Sequence, residues 1–343
     1  MKLMDEADRV TARMAVPRNS LGLLEQQVKK LLRAWGRTEF ELRPYHYIFA
    51  ADNGITAEGV VRQPQDITFL QARNMTQGKA TISCFCQCNH IPFEVVDVGI
   101  NRDEAVGRDY KVRRGTQDFL QEPAMTERDF WKAYDAGQAM VKEGVGRGCN
   151  ILSFGEMGIG NTTTSSAVLH ALSGAAPEFL VGCGANPAYP EVILRKRQVI
   201  QEAVKKYKSM MKAPQEIIRC VGGFDLAALC GAMVCCAEYR IPFVLDGFIT
   251  AVAFACAVQI HAGVTAMAIP SHLSREPGMK CALELGGIQA DEVPIRAGLA
   301  LGEGTGAILE LTILRTMLYA VAHVDRMANL EAEAEDDRQG ALS

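Results

Sequence analysis

Short runs of apolar residues, each ending in glycine or a carboxylate and each followed by a helix-length segment, organise the middle of the chain. Tyr45–Ala51 runs into Asp52-Asn53-Gly54, Phe93–Val98 into Gly99, and Asn150–Phe154 into Gly155-Glu156. Ile217–Val221 runs into Gly222-Gly223, Phe243–Leu245 into Asp246-Gly247, and Met267–Ile269 toward Ser271-His272. Uninterrupted apolar runs bounded by turn residues and spaced by helices predict parallel strands joined by crossover helices. The expected fold is therefore α/β, a Rossmann-like parallel sheet of about six strands flanked by helices. Ligands of such sheets sit beyond the carboxyl ends of the strands, so the acids and glycines that close these runs should line one cleft.

The two ends of the chain carry no strand pattern. Ser20–Ala34 has helical spacing with Ser20 placed to cap it, and Gly306–Met327 is a long apolar helix. Residues 1–40 together with 304–330 are expected to form a small helical domain, with 41–303 as the large nucleotide-binding α/β domain. Residues 331–343 are acidic and lack aromatics, and are expected to form a flexible tail. The apolar stretch Gly247–Ile269 raises a membrane question, but Gln259 and His261 interrupt it. A buried helix followed by a buried strand is expected there. No secretory signal is evident at the polar N-terminus, so a cytoplasmic protein is expected.

Composition narrows the chemistry. The formal net charge of −4 disfavours nucleic acid as partner, which would call for a basic face. The 31 glycines in 343 residues exceed the usual share and gather at the ends of the apolar runs. Eleven cysteines are an odd number and lack metal-ligand spacing. If 65–89 is helical, Cys84, Cys86 and Cys88 cannot converge, because residues two apart diverge by about 200°. No metal site is expected.

Three glycine clusters carry candidate chemistry. Gly155-Glu156-Met157-Gly158-Ile159-Gly160-Asn161-Thr162 leads from a strand into a helix, either as an anion cradle at a helix N-terminus or as a tight capped turn. It is neither a Walker A loop nor a dinucleotide fingerprint. Gly302-Glu303-Gly304 precedes the last apolar helix and offers Glu303 as a general base or as a cap. Asp246 closes a strand and could serve the cleft or cap a helix. Lys196 follows the glycine-rich turn 182–187, either on a solvated face or as a counter-charge to phosphate. His272 has no nucleophile at triad spacing, and Asn53, Glu58 and Thr68 are similarly open.

Residues 155–163 (GEMGIGNTT), 221–229 (VGGFDLAAL), 244–249 (VLDGFI), 270–278 (PSHLSREPG) and 301–307 (LGEGTGA) resemble the nicotinate-nucleotide–dimethylbenzimidazole phosphoribosyltransferases. Segments 19–25, 50–60 and 95–100 do as well, so the resemblance runs in order from about residue 19 to residue 327. It implies phosphoribosyl transfer from nicotinate mononucleotide, a substrate and not a cofactor, to a cobamide lower-ligand base. It also implies an α-riboside product, released nicotinate, no cofactor and a dimer.

By position, the resemblance makes Glu303 the general base and Glu156 a second acid near the ribose and acceptor. Gly158, Gly160, Asn161, Thr162, Lys196, Asp246, Ser274, Gly302 and Gly304 fall to the nucleotide and its phosphate. Gln63, Gln71 and Met157 fall to the acceptor ring. Asn53 stands where the family often has His, and Val61-Arg62-Gln63 also departs from it. These departures leave open an acceptor of benzimidazole type or a phenol or p-cresol, and a homodimer or a heterodimer with a paralogous subunit. A non-catalytic partner subunit is the alternative reading.

Overall fold

A computed structural model describes residues 5–17, 19–184 and 189–340, with 336–340 described for backbone only. Six strands form one sheet: β1 (Pro44–Ala51), β2 (Phe93–Gly99), β3 (Arg108–Asp109), β4 (Ile151–Met157), β5 (Phe243–Leu245) and β6 (Ala268–Pro270). The spatial order is β3-β2-β1-β4-β5-β6 and all pairings are parallel. The order reverses between β1 and β4, which in open sheets of this kind opens a crevice at their carboxyl ends.

Successive residues of β1 face opposite sides. Tyr47, Phe49 and Ala51 join the core shared with the helices Glu127–Gly146 and Phe224–Tyr239. Ile48 and Ala50 join a second core with the helices Gly22–Trp35 and Thr305–His323. Burial on both faces explains why the strands read as continuous apolar runs rather than as alternation. The helices from the two chain ends therefore pack on each other and on one face of the sheet. Thr305–His323 is, among the described residues, the helix long and apolar enough to cross a bilayer, yet Leu311, Leu314 and Leu318 are buried in this core. Gly247–Ile269 resolves into the buried helix Phe248–Ile260, a short helix and β6.

Several expectations need correction. Ile217–Val221 is not a strand but belongs to the helix Pro214–Val221. Pro214 occupies its first turn, Glu216 accepts from the Ala213 amide at 3.2 Å, and the buried residues 217, 218, 220 and 221 follow helical spacing. The sixth strand is instead the two-residue edge β3, which has no apolar run to announce it. Ser20 does not cap Gly22–Trp35: Leu21 holds that position and no side-chain cap is made. Segment 65–89 is two helices, Ile67–Thr76 and Thr81–Cys88, broken at Gly78 with φ 74°. Cys86 is buried on the second while Cys84 and Cys88 are exposed. Of the acidic tail, the residues up to Gly340 lie in the helix Met327–Gly340.

Candidate functional site

The carboxyl ends of β4, β5 and β6 deliver their following residues to one cavity of about 320 Å3, a volume suited to a small ligand. Of the residues that the resemblance assigns to the site, all line it except Lys196 and Gly304, whereas Asn53, Glu58 and Thr68 do not. Glu303, Glu156, Gly158, Gly160, Asn161, Thr162, Asp246, Ser274, Gly302, Gln63, Gln71 and Met157 all contribute to its wall.

Glu303 sits in an unusual backbone. Gly302, Glu303 and Gly304 have φ of 81°, 63° and 95°, three left-handed residues in a row, of which only the glycines adopt it without cost. The side chain is 5% exposed. Its Oε1 accepts from Gln71 Nε2 at 2.7 Å, while Oε2 is buried and has no hydrogen-bond partner. Burial raises its pKa, against the hydrogen bond from Gln71 and the backbone amide of Ile82 near the carboxylate, and nearby Asp246 adds to the rise. A carboxylate with one oxygen held and the other unpartnered at a cavity wall is set to accept a proton.

Glu156 follows the same logic more strongly. It lies at the end of β4, and burial, helped by the charge of Asp225, raises its pKa to about 8. Asn161 Nδ2 donates to Glu156 Oε2 and, at 3.0 Å, to Asp225 Oδ2. One amide thus bridges two acids. Asp225, buried in the Phe224–Tyr239 helix, is itself raised to about 6, chiefly by burial. Asn161 is consequently not the cap of the helix Asn161–Ser173. Gly160, with φ 93°, takes that place.

Asp246 lines the cavity, but its carboxylate is committed elsewhere. Oδ1 accepts from the amides of Gly306 and Ala307 at 2.8 and 3.2 Å, and Oδ2 from Gly304 at 3.2 Å. It therefore caps Thr305–His323 across the fold rather than the helix that follows it in sequence. Gly304 lies beneath the cavity as the N-terminal cap residue of that helix.

Lys196 is buried behind Thr162, with Nζ 3.1 Å from Thr162 Oγ1 and 3.5 Å from the Gly182 carbonyl. Burial lowers its pKa, so its cationic form lacks the solvation a surface lysine has. It faces a smaller adjoining pocket between residues 60–63 and 183–193. Of the glycine-rich turn, residues 185–187 lie outside the described residues. Ser274 donates to the Leu299 carbonyl at 3.3 Å. Glu58 pairs with Arg195 away from the cavity, and Thr68 Oγ1 accepts from the Ile159 amide. His272 lines the cavity beside Ser271, with 3.1 Å between Nδ1 and Oγ.

Three residues at the site carried no sequence signal of their own. Asp225 is hidden in an apolar helix. Glu276 lines the cavity with Oε1 accepting from the Gly184 amide at 2.7 Å, and its polar neighbourhood in 270–278 was its only mark. His46 lies inside β1 and touches the Glu303 backbone.

Comparison with known proteins fits this geometry. Residues 1–334 match the model of a family described as phosphoribosyltransferase. The nicotinate-nucleotide–dimethylbenzimidazole phosphoribosyltransferase of Clostridium acetobutylicum is 36% identical over 97% of this chain and 94% of its own length. The chain belongs to the nicotinate-nucleotide–dimethylbenzimidazole phosphoribosyltransferase family. A family enzyme of that name from Vibrio cholerae is 36% identical over 84% of this chain and 83% of its own. The crystal structure of CobT from Thermus thermophilus superposes with a TM-score of 0.86 at 34% identity, covering 92% of this chain and 95% of that one. For this phosphoribosyltransferase, the likeness thus extends over the sheet, the cavity and the helices from both ends.

Proposed function

We propose that the chain transfers 5-phosphoribosyl from nicotinate mononucleotide to a cobamide lower-ligand base, giving an α-riboside phosphate and nicotinate. The observation that carries this reading is Glu303: a buried carboxylate with one oxygen held by Gln71 and the other unpartnered, at the wall of a cavity that also contains a helix N-terminus.

In this reading the phosphate lies toward Thr162, Ser274 and the start of Asn161–Ser173, where backbone amides and the helix dipole favour an anion and Lys196 supplies the counter-charge. The acceptor lies toward Gln63, Gln71 and Met157. An azole nitrogen attacks C1′ with its lone pair, and the C1′–pyridinium bond breaks with its electron pair going to the nicotinate nitrogen. The proton on the acceptor's second ring nitrogen passes to Glu303. The leaving group departs neutral at its ring nitrogen, so the protein need only orient the reactants and accept that proton. Asp225, ionised above about pH 6, places negative charge near the ribose, where oxocarbenium-like positive charge develops, while Glu156, raised to about 8, is held there as the neutral acid. A phenolic acceptor would give up its hydroxyl proton to the same Glu303.

The family resemblance supports a dimeric enzyme of the cytoplasm. Purified chain is to be incubated with nicotinate mononucleotide and either dimethylbenzimidazole or phenol while nicotinate release is followed. Release with one acceptor and a riboside product of matching mass is the expected result. No release with any acceptor would overturn the reading of a self-sufficient enzyme, and rescue by a second polypeptide would favour a partner subunit.

A further inference from the structure

The reading of Glu303 as base leaves open what keeps this residue in a backbone conformation that a non-glycine residue enters at a cost of about 1–2 kcal/mol. The peptide unit joining Glu303 to Gly304 is gripped at both ends. Its N–H donates to Asp246 Oδ2 at 3.2 Å, and its carbonyl oxygen lies 3.2 Å from His46 Nε2. In a trans peptide these two groups point in opposite directions, so two partners fix the plane against rotation. That plane sets ψ of Glu303 and φ of Gly304, so gripping it fixes the direction in which the chain leaves Glu303 and with it the seat of its Cα.

The contact also settles the state of the imidazole. A carbonyl oxygen can only accept, so Nε2 of His46 carries the proton. Nδ1 is then an acceptor, and the Ser153 hydroxyl on the neighbouring strand lies 2.8 Å from it. His46 is fully buried, and burial pushes its pKa down to about 4, so the ring is neutral across the working range. It cannot be exchanging protons with substrate. Two glycines admit the arrangement: a Cβ on Gly304 would sit 2.1 Å from the imidazole, and one on Gly155 would sit 2.1 Å from the Glu303 carbonyl oxygen.

We propose that His46, oriented by Ser153, is a positioning residue that locks the Glu303–Gly304 peptide and thereby aims the Glu303 carboxylate at the acceptor. The inference rests on the reading of Glu303 as the base, but its structural half is testable without turnover.

The first measurement is amide hydrogen exchange over 302–307 in the wild type, His46→Phe, which keeps a ring but loses the donor, and His46→Gln, which retains one. Exchange should rise at Gly304 in the Phe variant and return toward wild type in the Gln variant. Unchanged exchange in His46→Phe overturns the proposal whether or not the chain turns over.

The second measurement is steady-state kinetics with nicotinate mononucleotide. His46→Phe should lower kcat roughly 10–100-fold with KM within about twofold, and His46→Gln should recover part of it. A loss confined to KM, or no loss at all, would count against positioning. Should His46→Phe fail to fold, Ser153→Ala provides the same two readouts. It leaves the ring and its contact with the Glu303 carbonyl in place but removes the hydroxyl that orients the ring, and a wild-type exchange pattern with wild-type kcat in that variant would overturn the proposal. A wild-type chain with no turnover would defeat the functional reading alone, because the exchange result stands by itself.

Discussion

Gln71 Nε2 lies 2.7 Å from Oε1 of Glu303, a contact that joins the helix Ile67–Thr76 to the turn before the last core helix across 232 residues of sequence. A hydrogen bond donated to a carboxylate favours its charged form, so Gln71 both aims Glu303 and opposes the rise in pKa that burial imposes. Gln71→Ala should therefore lower kcat about tenfold, the worth of one hydrogen bond to a charged group. It should also move the acidic limb of the pH–rate profile upward. A rate profile that keeps its acidic limb in the variant would separate Gln71 from the charge state of Glu303.

Glu303→Gln removes the proton acceptor while preserving volume and the contact with Gln71. Loss of a general base costs roughly 10²–10⁴-fold in kcat. The buried oxygen that lacks a partner becomes a neutral amide, so the variant should melt no lower than wild type. Single-turnover nicotinate release together with a thermal melt tests both halves. Near-normal turnover would shift the base role to Glu156.

What could be read in the sequence divides along physical lines. β1, β2, β4, β5 and β6 are apolar runs that end in turn residues, so their existence and the cleft at their ends were legible. Ile217–Val221 misled because a five-residue apolar run fits a buried strand as well as one face of a short helix. Pro214 and Glu216, which decide in favour of helix, lie outside the run. The glycine clusters correctly marked the site, since close approach and left-handed backbone demand glycine whatever the ligand. Partnerships were not legible. Nothing local pairs Asp246 with the amides of 304–307, Asn161 with Asp225, or His46 with Glu303, because only the sheet order brings these segments together.

The acids buried around the cavity link stability to pH. Burial raises Glu156 to about 8 and Asp52 and Asp225 to about 6, all above the values these groups have in an unfolded chain. Their protonated forms are thus favoured by the fold. The stability they contribute is complete below about pH 4 and is lost as pH rises through 6 and then 8. His46 acts in the opposite sense: lowered to about 4, it contributes stability above its unfolded value near 6.5 and loses it as pH falls toward 4. The unliganded chain should accordingly melt at a lower temperature at pH 8.5 than at pH 6.5. Glu156→Gln should flatten that slope and raise Tm at pH 8.5 by roughly 2–5 °C. Melts of both proteins across this range would contradict the account if the wild-type Tm were flat or rising, or if the variant kept the wild-type slope.

Lys196 offers the sharpest test of where the phosphate lies. Its ammonium is buried beside Thr162, whose side chain lines the cavity, and burial lowers its pKa despite the opposing charge of nearby Glu276, so a further anionic partner would be favoured there. A bound phosphate would supply that partner and draw the pKa back up, so the interaction is stronger than the same pair would be in water. Lys196→Met keeps the aliphatic stem and deletes the charge. It should raise KM for nicotinate mononucleotide roughly 10–100-fold. Its effect on nicotinate riboside, which has the same ring and sugar but no phosphate, should be small. The wild-type preference for the phosphorylated donor would then shrink by about the same factor. A variant that lost activity equally on both donors would place Lys196 in the architecture of the adjoining pocket, and the phosphate would have to be sought nearer Ser274 and the amides of 160–162.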